Sequence, residues 1–134
     1  MSSARVPQLP GGKLEYAVLV ALWESGPLSA PELHERVGVP LDLVYTTTAK
    51  VLDRLHRKGL VERQPVGKTF RYAASVERPA TERARARRLL DAVLGDAPRP
   101  AIAALVDAVT SIDPELLDEL ARVVEARRRS RREP

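Results

Sequence analysis

Residues 44–73, VYTTTAKVLDRLHRKGLVERQPVGKTFRYA, contain a change of periodicity that decides the fold. At about 100° per residue around a helix axis, Val44, Thr48, Val51, Leu52 and Leu55 fall in one arc and form a stripe suited to burial. Thr46, Lys50, Asp53 and Arg57 lie opposite, with Ala49 and Arg54 on the flanks and Thr47 to one side. Asp53 and Arg57 have the spacing of an intrahelical ion pair. The helix should stop at Gly59. Beyond it, LVERQP and KTFRYA read as two short strands around Val66-Gly67, and in the second Phe70 and Tyr72 share one face while Thr69 and Arg71 share the other. The result is a helix whose outer face begins with hydroxyls and continues with cations, followed by a hairpin with a basic outer side.

Two helices precede this stretch. Leu14, Ala17, Val18, Ala21 and Leu22 recur at spacings of three and four, which predicts an amphipathic helix over 13–25 that ends at Gly26-Pro27, with Trp23 as a core plug. Ser29 and Glu32 have the spacing of a capping box, and Leu28 and Leu33 that of a hydrophobic staple, so a short second helix starts there and ends near Val37-Gly38. Three helices and then a hairpin is the order of a winged helix-turn-helix, and residues 13–76 suffice for it. Residues 1–12, with two prolines and two glycines, read as a flexible leader.

Downstream the chain is helical and rich in arginine. Leu89, Leu90, Val93 and Leu94 mark one helix closing at Gly95, DAPRP a linker, and Ile102, Leu105, Val106 and Val109 a second helix. Asp113 is placed as N-cap of a third, with Pro114 at its first position and Leu116, Leu117, Leu120, Val123 and Val124 along its apolar side. These stripes exceed what so small a core can cover, and a second copy of the chain is their natural cover. Residues 77–126 therefore read as a helical dimerisation arm, with Leu89, Leu90, Val93, Leu94, Ile102, Leu105, Val109, Leu116, Leu117, Leu120 and Val124 at the interface. Residues 127–134 read as a disordered basic tail. The expected fold is mainly α with a small β-hairpin wing: a winged helix-turn-helix domain plus a C-terminal helical arm.

The composition agrees with this reading. The 134 residues are 44% hydrophobic and 4% aromatic, which favours helix packing over a sandwich or barrel. A net charge of +4 suits a polyanionic partner. The chain has no cysteine, which excludes disulfides, thiolate metal sites and cysteine nucleophiles and fits a reducing cytoplasm. No run has the length or apolar content of a signal peptide or membrane span. His34 and His56, the only histidines, stand without a recognisable acidic cluster, so neither a metal nor a cofactor is expected. An enzyme would need a nucleophile with its base, paired carboxylates or a phosphate-cradling glycine loop, and the seven glycines mark turns and element ends instead. A winged helix used only for protein contacts is the alternative, since fold does not dictate function; an apolar or acidic third helix would suit it better.

GKLEYAVLVALWESGPLSAPELHE, VYTTTAKVLDRLHRKGLVER and GKTFRYAAS together resemble blocks of the penicillinase-repressor and copper-repressor family of bacterial regulators. The matching positions are Leu14-Glu15, Leu22-Trp23, Tyr45-Thr46-Thr47, Leu52 to Val61, and Gly67-Lys68 with Tyr72, and by motif they cover residues 9–76. The resemblance implies a homodimeric repressor that binds double-stranded DNA at a palindrome, its third helix in the major groove and its helical arm forming the dimer. It also implies an inactivating protease or another signal-transducing partner. The copper-responsive branch senses metal through a C-terminal cysteine pair, which this chain lacks. The β-lactam branch is cut in its arm at an Asn-Phe bond, where this chain has Ala108-Val109.

On that reading Thr46, Ala49 and Lys50 face base edges, the methyls against thymine and Lys50 against guanine. Tyr45, Thr47 and Arg54 hold phosphates, with a core-facing Tyr45 the alternative, and Lys68 and Arg71 of the wing straddle the adjacent backbone or minor groove. Arg83, Arg85, Arg87 and Arg88 are expected on a solvated or interfacial face.

Overall fold

The computed structural model describes residues 8–133, so most of the expected leader lies outside the described residues. The order is α1 (Lys13–Ser25), β1 (Leu28–Ser29), α2 (Ala30–Leu33), α3 (Tyr45–Arg57), β2 (Val61–Val66), β3 (Thr69–Ala74), α4 (Arg78–Leu94), α5 (Pro98–Ile112) and α6 (Pro114–Arg132). The chain forms two compact units that divide within α4, between Ala86 and Arg87 and so beyond the 76/77 boundary read from sequence.

In the first unit, local signals act as their chemistry requires. Ser29 Oγ accepts from Glu32 N while Glu32 Oε1 accepts from Ser29 N, a complete capping box, and the staple residues Leu28 and Leu33 are both buried. α2 continues through a π-helical turn, His34–Gly38, and a 3-10 turn, Val39–Leu41, before Asp42 reverses the chain in the left-handed region at φ 62°. α3 ends at Gly59, whose φ of 78° lets Leu60 N bond back to Leu55 O and drops buried Leu60 under the sheet.

The hairpin is part of a three-stranded antiparallel sheet in the order β1-β3-β2. β1 pairs Leu28 with Tyr72 and Ser29 with Arg71, a strand too short to be read from sequence. The core gathers α1, α2, α3 and the sheet through Leu19, Leu22, Leu33, Leu52, Leu55 and Tyr72. Trp23 is half-buried at its edge and donates from Nε1 to Val76 O at 2.9 Å.

Several expectations change here. The fully packed side of α1 is Glu15, Val18, Leu19 and Leu22, rotated from the expected stripe, with Leu14, Ala17 and Ala21 half-buried. Val44 is not in the buried stripe of α3: it is the N-cap residue and 66% exposed, because its extended backbone points it off the helical arc. Phe70 is exposed while Tyr72 on the same face is buried, because the hairpin outruns the core towards its tip. Of the leader, Leu9 is buried and Gly11 is hydrogen-bonded, so this part is docked.

In the second unit α5 starts at Pro98, inside the expected linker; Pro98 and Pro100 fit a first helical turn, where no intrahelical partner awaits their missing N–H. Asp113 caps α6 by accepting from Glu115 N at 3.0 Å. α6 runs to Arg132 instead of ending in a disordered tail from 127, since arginine is a good helix former and cations suit a helix C-terminus. From Arg87 onward none of the described residues is buried, and Leu89, Ile102, Leu116, Leu120 and Val124 are all exposed. Leu94, Leu105, Val109 and Leu117 are half-covered.

Candidate nucleic-acid interface

The outer face of α3 rests on a buried face that fixes its roll. Thr48, Val51, Leu52 and Leu55 are buried, and the Thr48 hydroxyl lies 2.8 Å from His34 Nδ1, bonding α3 to the turn after α2. Gly38 is essential to that contact: any Cβ there would run into His34 Nδ1 and Thr48 Oγ1. His34 also meets Tyr45 edge to face, with ring centroids 5.4 Å apart. Tyr45 is therefore partly exposed at the start of α3 and is not a core residue.

A buried carboxylate holds the other end of α3. Glu15, 4% exposed, accepts from Arg54 Nε at 2.7 Å, Lys58 Nζ at 2.7 Å and Gly11 N at 2.8 Å. Burial alone would raise its pKa; the hydrogen bonds from Lys58, Gly11 and Arg54 outweigh that and hold it below the ordinary carboxylate value. Arg54 is thus engaged through Nε, although its side chain remains half exposed. Asp53 pairs with Arg63 of β2 at 2.9 Å and not with Arg57, because the twisted hairpin brings Arg63 alongside α3. Arg63 also stacks over Phe70, 4.4 Å from the ring centroid, which ties helix and hairpin together.

Open to solvent are a strip on the first turns of α3, Arg57 at its last turn and the hairpin tip. Thr46 and Lys50 are exposed and make no side-chain hydrogen bond or ion pair among the described residues; Thr47 and Ala49 beside them are half-buried. Lys68 is exposed next to Gly67, whose φ of 62° makes the tight turn. Arg71 is exposed but donates to Pro27 O at 3.2 Å and lies 3.9 Å from Glu32, so it is partly occupied. On α4, Arg85 covers the Tyr16 ring at 3.6 Å and pairs with Glu82 at 2.9 Å, whereas Arg83 and Arg88 are exposed. Arg87 pairs with Asp91 at 3.2 Å.

Sequence reading gave Glu15, Lys58 and Arg63 no role of their own. Glu15 carried a signal: an acid at the i−3, i−4 and i−7 position to Val18, Leu19 and Leu22 shares their face. Arg63 carried none, because its partners depend on how the hairpin lies against α3. Among the described residues no three His, Cys, Asp or Glu side chains are grouped to hold a metal ion, and no helix is long and apolar enough to cross a membrane.

Three helices, a small sheet and a basic, hydroxyl-bearing third helix define a winged-helix protein of the kind built around one presented helix. A family model described as Penicillinase repressor matches residues 11–126, and the chain belongs to that family, one of transcriptional repressors and not of enzymes. Transcriptional regulator BlaI of Mycobacterium tuberculosis, from strains CDC 1551 / Oshkosh and ATCC 25618 / H37Rv, is 40% identical over 63 residues, 46% of this chain and 46% of the relative. The match spans about half the length of these curated relatives. Among solved structures, the PcaV transcriptional regulator from Streptomyces coelicolor in complex with its natural ligand aligns at 26% identity and a TM-score of 0.48, over 77% of this chain and 74% of that one. The transcriptional regulator BldR from Sulfolobus solfataricus aligns at 22% identity and a TM-score of 0.43, over 84% and 73%.

Proposed function

We propose that the chain is a sequence-specific DNA-binding repressor that acts in the cytoplasm as a homodimer on a palindromic operator. α3 enters the major groove and the β2–β3 hairpin lies along the adjacent backbone as a wing. The observation that carries this reading is the free strip on α3: Thr46 and Lys50 are exposed and unpaired among the described residues, on a helix whose opposite face is locked into the core. Thr46, Ala49 and Lys50 read base edges, while Tyr45, Thr47, Lys68 and Arg71 meet phosphates or sugars. Arg54 contributes with the end of its guanidinium that Glu15 leaves free. The second unit, which buries none of its described residues, dimerises and sets the spacing of two half-sites.

Footprinting the purified protein on its own upstream DNA, with a salt series and unrelated competitor, tests this. A protected palindrome that survives competitor is expected, and Lys50→Ala with Arg71→Ala should weaken it. Unchanged affinity in that double variant would refute the assignment of helix and wing. Only sequence-independent, salt-sensitive retention, on this DNA and in a genome-wide binding map alike, would refute specific readout.

A further inference from the structure

We infer that Arg63 of the hairpin keeps Lys50 and Arg57 of α3 available to DNA by holding Asp53 away from both, and that Arg57 is a further phosphate contact. This rests on the DNA reading proposed above and says which charges the reading face presents. Thr46, Lys50, Asp53 and Arg57 follow one another at spacings of four, three and four, so they form one line along the side of α3 opposite its buried stripe. A carboxylate within that line works against DNA binding in two ways. It repels phosphate, and it lies three residues from Lys50 and four from Arg57, within ion-pairing reach of either cation.

The conflict is settled from outside the helix. Asp53 Oδ1 accepts from Arg63 Nη1 at 2.9 Å, while Lys50 and Arg57 are both exposed and make no ion pair or side-chain hydrogen bond among the described residues. Arg63 suits this task because its place does not depend on Asp53. It stands on β2 opposite Tyr72, on the same face as buried Val61, and its guanidinium stacks on Phe70, 4.4 Å from the ring centroid. Phe70, which lies outside the core, thereby serves as the platform that aims Arg63 at Asp53. The pair is neutral, so the outer line of α3 presents its cations without an opposing charge. Along the helix axis Arg57 is about 16.5 Å from Thr46, more than the roughly 12 Å width of the major groove. A helix that lies across the groove with its first turn on base edges therefore brings Arg57 to the far edge, where phosphates stand. Arg63 is a positioning residue for the reading face, and the hairpin acts on readout through α3 as well as through its own tip.

Fluorescence anisotropy with the full-length protein, on its own upstream DNA and on an unrelated duplex of equal length, tests both parts, and the melting temperature of each variant without DNA checks its fold. Arg57→Ala should weaken binding to both duplexes about three- to tenfold and reduce the salt slope by about one. Arg63→Gln should weaken binding by a similar factor, because Asp53 then faces the groove unpaired and draws in Lys50 and Arg57. Adding Asp53→Asn should restore affinity to within about twofold of wild type. Adding Glu62→Gln instead, which removes an exposed charge from the other face of β2, should not. Unchanged affinity and salt slope in Arg57→Ala would take Arg57 out of the interface and overturn the inference, while the DNA reading stood. If Asp53→Asn fails to rescue a folded Arg63→Gln variant, Arg63 itself meets DNA or merely holds the wing, and the inference falls. Equal rescue by Glu62→Gln would mean overall charge and not the Asp53 contact, and would overturn it as well. No binding of the unaltered protein to either duplex would remove the DNA reading itself, and this inference with it.

Discussion

Replacing Glu15 with glutamine tests what holds the presented helix in place. The change keeps the side-chain volume and one acceptor but removes the charge facing Arg54, Lys58 and Gly11 N. A hydrogen bond to a charged group contributes roughly 1.5–3 kcal/mol. Arg54 is 50% exposed and Lys58 26%, so both recover much of their hydration when released. The net loss should be about 2 kcal/mol, or a fall in Tm of about 10 °C for a unit of this size. Urea and thermal unfolding followed by circular dichroism, at one fixed protein concentration, measure it; the midpoint should move with the m-value unchanged.

The same variant makes a prediction about pH. The Glu15 carboxyl is depressed in the folded protein, so its contribution is fully present above the ordinary value of 4.5 and is lost as pH falls through the lower folded value. The stability gap between wild type and Glu15→Gln should therefore be constant above 4.5 and close below it. In a Lys58→Met background Glu15→Gln should cost less, the difference being the coupling. A gap under about 0.5 kcal/mol, or one that persists in acid, would refute the ion cluster as the anchor of α3.

Other substitutions probe the remaining supports. Leu55→Ala, at a fully buried core position, should cost about 2–5 kcal/mol in the same unfolding assay. Gly38→Ala should cost about 1–3 kcal/mol by forcing His34 and Thr48 apart, and a crystal structure of the variant should show that hydrogen bond broken. Lys50→Ala should lower affinity for the operator by about 1–3 kcal/mol with little change on unrelated DNA. Lys68→Ala should weaken both alike and reduce the salt slope by about one, as fluorescence anisotropy across a salt series would show.

Local chemistry was legible wherever one segment contains both partners. The Ser29–Glu32 capping box, the Asp113 N-cap, the glycine ends of α1 and α3, and the buried stripe Thr48, Val51, Leu52 and Leu55 all follow from residues a few positions apart. That is why the three helices, the hairpin and the position of Thr46 and Lys50 on an outer face could be read in order from the chain.

The tertiary structure decided which polar groups are free. Arg54 and Lys50 differ little on a helical wheel, yet Arg54 is bound to Glu15, 39 residues away, and Lys50 is not. Asp53 could have met Arg57 within its own helix, but the hairpin delivers Arg63. β1 is a strand because β3 passes beside it. Periodicity tells which way a side chain points, since that depends on backbone geometry alone; whether it finds a partner depends on distant segments converging, and no local pattern encodes that distance.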